Sequence, residues 1–272
     1  MRMMRQLCVS TACATLLLMT SGTASAQYGA PGGTSTGVSG EDYHVELAYG
    51  LWNPNPDLRI SSESLGIVGT TIEGITDLGF ERSFFQDFRV VLRPSRKFKF
   101  RFGYTPIKYE GATTLTRTIV FNGQRYTIGL PVTSVLEWNS WRVGIEYDFI
   151  ARPRGFLGVI VEGKFTALDM ELNAPVISEF TKVKVPIPTL GAIGRVYLAR
   201  NLAVTAEFTG LKLTVQEDTG KYLEFDLNGL FNFNRNFGVQ GGYRTVSLDY
   251  RVEQDAGNLD LKGFYFGGVA RF

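Results

Sequence analysis

His44 is the only histidine in 272 residues, and chemistry that needs a base or nucleophile activator near neutral pH usually starts from histidine. The sequence also offers carboxylate pairs: Glu146 with Asp148, and Glu224 with Asp226, each spaced by two. That spacing puts both members on one face of a strand, where they could share acid and base roles. The same face also collects cations. Arg89, Lys99, Arg101, Arg142, Lys164, Arg195, Arg244 and Arg271 fall on it with Glu46, Asp87, Glu162 and Glu207. Mixed charges in a narrow space more readily make a salt-bridged filling than a reaction centre. His44, beside Glu46, reads as a hydrogen-bonded member of that filling. A metal site is not expected, because there is no second histidine and the only cysteines, Cys8 and Cys13, lie in a segment read as removed. No cofactor is implied, and a formal charge of +2 gives no sign of nucleic-acid binding.

The elements that must carry these groups read as strands. From residue 41 the hydrophobic period is two: Tyr43, Val45, Leu47, Tyr49 and Leu51 alternate with His44, Glu46, Ala48 and Gly50. The pattern returns in Phe88, Val90 and Leu92, in Phe98, Phe100, Phe102 and Tyr104, and in Trp141, Val143, Ile145, Tyr147 and Phe149. Further strands read as 157–172, 190–198, 202–211, 223–233, 237–250 and 259–272, which makes ten. The short sixth strand leaves eight or twelve open. Before them, residues 1–26 read as a cleaved signal peptide: Arg2 and Arg5, an apolar run from Leu7 to Met19, and Ala24-Ser25-Ala26 before Gln27. Removing 26 of 272 residues leaves 246, ordinary for one barrel with long loops. Residues 27–40 lack periodicity and read as a flexible tail. No later stretch approaches the roughly 18 apolar residues of a membrane helix.

Alternation alone does not say which face points inward. Connection lengths do. The links at 94–97, 151–155, 199–201 and 234–236 are short, whereas 53–83, 173–188, 212–222 and 251–258 read as long loops. Brief turns at one end and long loops at the other are expected of an outer-membrane barrel with its turns in the periplasm. Tyr43, Trp141, Phe149, Phe156, Phe233, Phe237 and Phe272 would form its interfacial girdles. The apolar stripe then faces lipid. The lumen is lined by His44, Glu46, Asp87, Arg89, Lys99, Arg101, Arg142, Glu146, Asp148, Glu162, Lys164, Arg195, Glu207, Asp226, Arg244 and Arg271. Asn122-Gly123 signals a type I′ hairpin, so the third and fourth strands read as a projecting β-arm, the alternative being a hairpin folded across the mouth. The first connection, 59–79, is too apolar for a solvated loop. It reads as an extension of the first strands or as a cap on the lumen.

The motifs Asp77-Leu78-Gly79, Arg93-Pro94 with Lys97-Phe98, Phe100, Phe102 and Tyr104, Arg117 to Gly123, Tyr147-Asp148-Phe149 and terminal Phe272 resemble outer-membrane β-barrel proteins of Gram-negative bacteria, including uncharacterised porin-like sequences. The resemblance is architectural and spans the mature chain. It implies an outer-membrane location, lipids and lipopolysaccharide as surroundings, and assembly by the barrel-assembly machinery. That machinery would read the last strand through Phe264, Phe266 and Phe272. Barrel enzymes of such membranes, the lipid A deacylases, palmitoyl transferase, phospholipase and omptins, rely on histidine. Omptins place theirs at the outer rim, whereas His44 falls at the periplasmic end.

The sequence thus predicts an all-β, transmembrane, up-and-down antiparallel barrel over 41–272, monomeric and not an enzyme. Its charged lumen is either closed or passes ions and very small solutes. The alternative is an anchored barrel that binds a surface ligand through its hairpin and loops, with a lipid-modifying enzyme a distant third.

Overall fold

The computed structural model describes residues 42–61, 70–121, 124–175, 177–215, 218–252 and 255–272. The segments read as signal peptide and tail, part of the first connection and Asn122-Gly123 lie outside the described residues. Among the described residues thirteen strands are formed: β1 (Val45–Ser61), β2 (Ile72–Glu73), β3 (Phe85–Leu92), β4 (Phe98–Thr114), β5 (Ile119–Phe121), β6 (Gln124–Tyr126), β7 (Pro131–Arg152), β8 (Gly155–Ala174), β9 (Ile177–Tyr197), β10 (Leu202–Val215), β11 (Asp218–Asn232), β12 (Phe237–Val252) and β13 (Asp255–Arg271). Ten of them pair antiparallel in the order β1-β3-β4-β7-β8-β9-β10-β11-β12-β13. Pairing of β13 with β1, from Glu46–Arg271 to Ser61–Ala256, closes the barrel. We call the end with the turns after β3, β7, β9 and β11 the lower end.

Over the lower part of every strand the apolar face points outward. Leu47, Tyr49, Phe88, Phe100, Phe102, Trp141, Val143, Ile145, Val161, Phe208, Phe225, Leu227, Phe264 and Phe266 are all exposed. On β7 this stripe runs from Trp141 to Phe149, about 27 Å along the strand and about 21 Å after the usual tilt, close to the ~25 Å apolar band of a membrane barrel. The girdle aromatics Trp141, Phe149, Phe233, Phe237 and Phe272 are on the outside. Tyr43 and Phe156 are corrections to that set. Tyr43 precedes β1 and turns inward, its ring 5.2 Å from the Arg93 guanidinium and 5.3 Å from that of Arg271. Phe156 faces the lumen, with Lys99 Nζ 3.5 Å from its ring centre. Each ring covers a cation, which a lipid-facing position could not offer.

Above the belt the two faces exchange chemistry. Asp57 and Arg59 of β1, Lys108 and Glu110 of β4, and Glu137 of β7 point outward. Trp52, Leu58, Ile60, Ile107, Tyr109, Leu136 and Trp138 point in. A strand that leaves hydrocarbon for water must solvate its outer face and can then fill its inner one with apolar groups. The expected loops 173–188, 212–222 and 251–258 are therefore mostly strand over their described residues. Ladders run to Ala174–Ile177, Val215–Asp218 and Val252–Asp255. Their polar outer residues resemble loop composition only while the outer face is assumed to stay apolar.

The two remaining segments fold inward. β4 and β7 stay paired up to Thr114–Pro131, but β5 and β6 form a separate two-stranded sheet. Its Ile119, Phe121 and Tyr126 pack into the same apolar cluster as Leu78, Trp138 and Leu172. A projecting arm would have left these three in water, so the hairpin folds across the mouth instead. In the first connection the extension holds for one strand of the two: β1 runs on to Ser61 while β3 begins only at Phe85, and residues 72–80 form a cap that buries Ile72, Leu78 and Phe80.

The outward register can be tested at mid-belt. Val143→Arg, between Phe102 and Gly163 on the neighbouring strands, should lower stability by about 2–4 kcal/mol, measured by equilibrium unfolding in lipid vesicles. The same charge at the solvated Glu137 should change it by less than about 1 kcal/mol.

Candidate functional site

The lumen is filled at two levels. The lower level is ionic. Eight cations, Arg89, Lys99, Arg101, Arg142, Lys164, Arg195, Arg244 and Arg271, face eight carboxylates, Glu46, Asp87, Glu146, Asp148, Glu162, Glu207, Glu224 and Asp226, among the described residues. Formal charge therefore balances. Glu224 joins three cations: its Oε1 accepts from Arg142 Nη1 at 3.0 Å and Arg244 Nε at 2.8 Å, and its Oε2 accepts from Lys164 Nζ and, at 2.9 Å, from Tyr222 Oη. Asp87 accepts from Arg89 Nε at 2.7 Å, Arg244 Nη1 at 3.0 Å and Thr105 Oγ1 at 2.7 Å. Asp226 accepts from Arg89 Nη2 at 2.9 Å and Tyr265 Oη at 2.7 Å.

Below these, Lys99 Nζ donates to Glu146 at 2.5 Å and lies 2.9 Å from Asp148. Arg101 reaches Glu146 at 2.9 Å and Glu207 at 2.5 Å, with Glu162 3.5 Å away. At the rim Arg271 donates to Glu46 at 2.6 Å, and Arg195 to Thr205 at 2.9 Å. A cavity of about 60 Å³ bordered by Glu46, Arg89, Arg101, Glu162 and Glu207 has room for a few water molecules and no more.

The strands thus bring together all the expected lumen residues except one. His44 is exposed on the bend before β1, its backbone N–H donating to the Phe272 carbonyl at 2.7 Å. It belongs to the lower rim and not to the enclosed lumen, because β1 pairing begins only after it. Glu224, noted for its spacing to Asp226 but not placed in the lumen, has three cationic partners, as Asp87 does. Its even-number alternation with Asp226 on β11 was the available signal. Both carboxylate pairs are taken up by ion pairs: Glu146 and Asp148 share Lys99, while Glu224 and Asp226 are split between different arginines.

The upper level is the apolar plug formed by the inward residues of the raised strands, the 72–80 cap and the β5–β6 hairpin. Amphipathic rings mark the boundary between levels. Tyr222 and Tyr265 bury their rings and hydrogen-bond downward to Glu224 and Asp226, and the Arg244 guanidinium lies 4.8 Å from the Trp52 ring. Cap and hairpin are joined by Arg117, whose Nε donates to Asp77 Oδ1 at 3.0 Å and whose Nη2 reaches Asp77 Oδ2 at 2.5 Å. The Glu73 N–H donates to the same carboxylate at 2.9 Å. Burial pushes the Asp77 carboxyl up, but these hydrogen bonds and the Arg117 charge outweigh it and hold the group below its ordinary value of 3.8.

Closed pairing, the outward apolar belt and the inward charges together define the fold of Gram-negative outer-membrane β-barrel proteins. Among solved structures, the outer membrane protease OmpT from Escherichia coli aligns over 85% of this chain and 97% of its own, with 10% identity and a TM-score of 0.59. Ail, the attachment invasion locus protein of Yersinia pestis, aligns over 84% and 99% with 8% identity and a TM-score of 0.37. The Pseudomonas putida toluene transporter TodX aligns over 85% and 90% with 7% identity and a TM-score of 0.35. At such identities the likeness is one of fold alone. No family model and no curated protein matches the chain.

Two outcomes follow. Glu224→Ala leaves three buried cations without their shared counter-charge and should cost about 3–5 kcal/mol, read by denaturant unfolding. Glu110→Ala, in an exposed pair with Lys108, should cost under about 1 kcal/mol. Because the Asp77 pKa is lowered on folding, the stability it contributes is complete above the unfolded value of 3.8 and is lost as pH falls through the folded one. Amide-exchange protection of residues 72–80, corrected for intrinsic rates, should therefore be flat at neutral pH and fall in the acid range below 3.8. Asp77→Asn should be weakly protected throughout and lack that fall.

Proposed function

We propose that this chain is an integral outer-membrane barrel with a sealed lumen, acting at the cell surface through the crown of raised strands, cap and hairpin. One observation carries the reading: the interior is occupied at every level, by ion pairs below and by apolar side chains above. Ten strands enclose a bore that side chains can fill, whereas open aqueous channels belong to barrels of about 16 strands or more. A balanced set of charges also leaves no net field to draw ions of one sign through. The barrel is then an anchor, exported through its signal peptide and set in a membrane of phospholipid and lipopolysaccharide. Phe264, Phe266 and Phe272, all exposed on or just after the last strand, suit reading by the barrel-assembly machinery. We assign no catalytic role: the carboxylate pairs are consumed by cations and His44 stands at the opposite end from the crown.

The test is electrical. Purified full-length mature protein in planar bilayers, with insertion verified by protease protection, should show no discrete conductance. Reproducible single-channel steps from the inserted protein would restore the pore reading.

A further inference from the structure

The barrel wall is split above the belt, between β3 and β4, and the split is built into the backbone. The β3–β4 ladder ends at Phe88–Tyr104, and β3 itself begins at Phe85, opposite Trp52 of β1. Hydrogen bonds at the lower end set which residues face the split. Val45 exchanges backbone bonds with Phe272 of the β13 side, and the His44 carbonyl accepts from Arg93 on the β3 side. Even residues of β1 therefore direct their amides toward β3, and among them are Pro54 and Pro56. On β4 the Lys97 carbonyl accepts from Asp148 on the β7 side, so even residues face β3, and Pro106 is the first past the last ladder pair. All three prolines thus point a position with no N–H into the same split, where it cannot extend the ladder.

Higher up, the cap closes the gap. Gly111 meets the Leu78 carbonyl so closely that a Cβ would lie 2.0 Å from it, and Gly79 has a φ of +71°. Tyr109 Oη donates to the Pro54 carbonyl at 2.9 Å, and Arg82 Nε to Asn55 at 3.0 Å. Between the ladder below and this closure above remains a recess of about 340 Å³ on the outer wall. Its floor is apolar, with Phe84 56% exposed and Phe85 and Ile107 leading into the plug. Its upper edge is polar: Lys108 lies 3.0 Å from Glu110 and 3.2 Å from Glu137, and Asn139 is beside them.

We infer that this window holds one phospholipid with an ammonium headgroup, its acyl chain entering over Phe84 and Pro106 toward Ile107. The recess is continuous with the lipid-facing belt and sits at its upper edge, the level of the headgroup and the first methylenes. Its size falls within the range of ordinary ligand pockets. Headgroup choice follows from charge: two carboxylates flank one lysine, so a phosphate can meet Lys108 only if a cation accompanies it to Glu137 and Glu110. A polyanionic lipid meets repulsion there. The inference rests on the membrane orientation proposed above but not on a sealed lumen.

The full-length mature protein is reconstituted in vesicles of phosphatidylethanolamine and phosphatidylglycerol at 3:1 (about that ratio suffices). Trace phosphatidylethanolamine carrying an acyl-chain diazirine is then photolysed and the adducts mapped by mass spectrometry. Expected are adducts on Phe85 and Ile107, inward residues that bulk belt lipid does not touch, several-fold above those at Val143. The same diazirine chain on phosphatidylglycerol should label them several-fold less. Gln86→Trp, which fills the recess from outside, should reduce labelling there to background and leave Val143 unchanged. If that variant fails to fold, as seen by heat-dependent gel mobility, Pro106→Val, which restores the N–H and lengthens the ladder, replaces it. Belt labelling with none at Phe85 or Ile107 overturns the site. Equal labelling by the two headgroups overturns the ammonium assignment. Absence of labelling from the whole belt overturns the membrane reading itself.

Discussion

A strand in hydrocarbon can send its N–H and C=O groups only to another strand, so the closing ladder between β1 and β13 is the constraint on which this molecule depends. Once the circle closes, each residue has two addresses, lipid or lumen, and the period of two assigns them. Leu47, Tyr49, Phe100 and Val143 are outside because Glu46, Gly50, Arg101 and Arg142 are inside. A one-residue slip in any ladder would place guanidinium groups in acyl chains, so the charges specify register as much as they fill space.

The second constraint is where hydrocarbon stops. Along a single strand the outer face changes from Tyr104 to Lys108 on β4, and from Trp141 to Glu137 on β7. The inner face changes in the opposite sense, from Arg101 to Ile107 and from Arg142 to Trp138. The barrel is therefore a membrane protein below and a water-soluble one above, with its large buried apolar core in the upper part and two small apolar clusters near the lower end. The rings of Trp52, Tyr222 and Tyr265 span the change because each offers an apolar body and one polar tip.

This exchange explains what the sequence made legible. The ten strands and the inward charges could be read within the belt, where the outer face is uniformly apolar and a two-residue period separates Phe100 and Phe102 from Lys99 and Arg101. Above the belt the same rule produced loops, because Lys212, Lys221, Asp249 and Asn258 break an apolar outer stripe without breaking a strand. The apolar hairpin residues Ile119, Phe121 and Tyr126 were visible, but their destination depends on the room left between distant strands, which no local pattern encodes. Glu224 could be placed on the inner face by its spacing from Asp226, yet its convergence with Arg142, Lys164 and Arg244 joins four different strands and emerges only from the closed circle. His44 failed for the reverse reason: parity put it in line with the lumen, but it lies before the strand begins.

A narrow bore could have been filled with leucine and phenylalanine, as the upper half is, and the presence of ion pairs in the lower half needs a reason. With both faces apolar, a strand in lipid would have no preference for either side and its register would be weakly set. Buried ion pairs contribute little net stability, since desolvation offsets much of their attraction, but a misplaced partner is costly. A network such as Glu224 with Arg142, Lys164 and Arg244 therefore penalises wrong assemblies more than it stabilises the right one. The crown needs no such device, because water already distinguishes its outer face from its core. Charge appears inside this barrel where the solvent outside cannot distinguish the two faces, and it gives way to apolar packing where the solvent can.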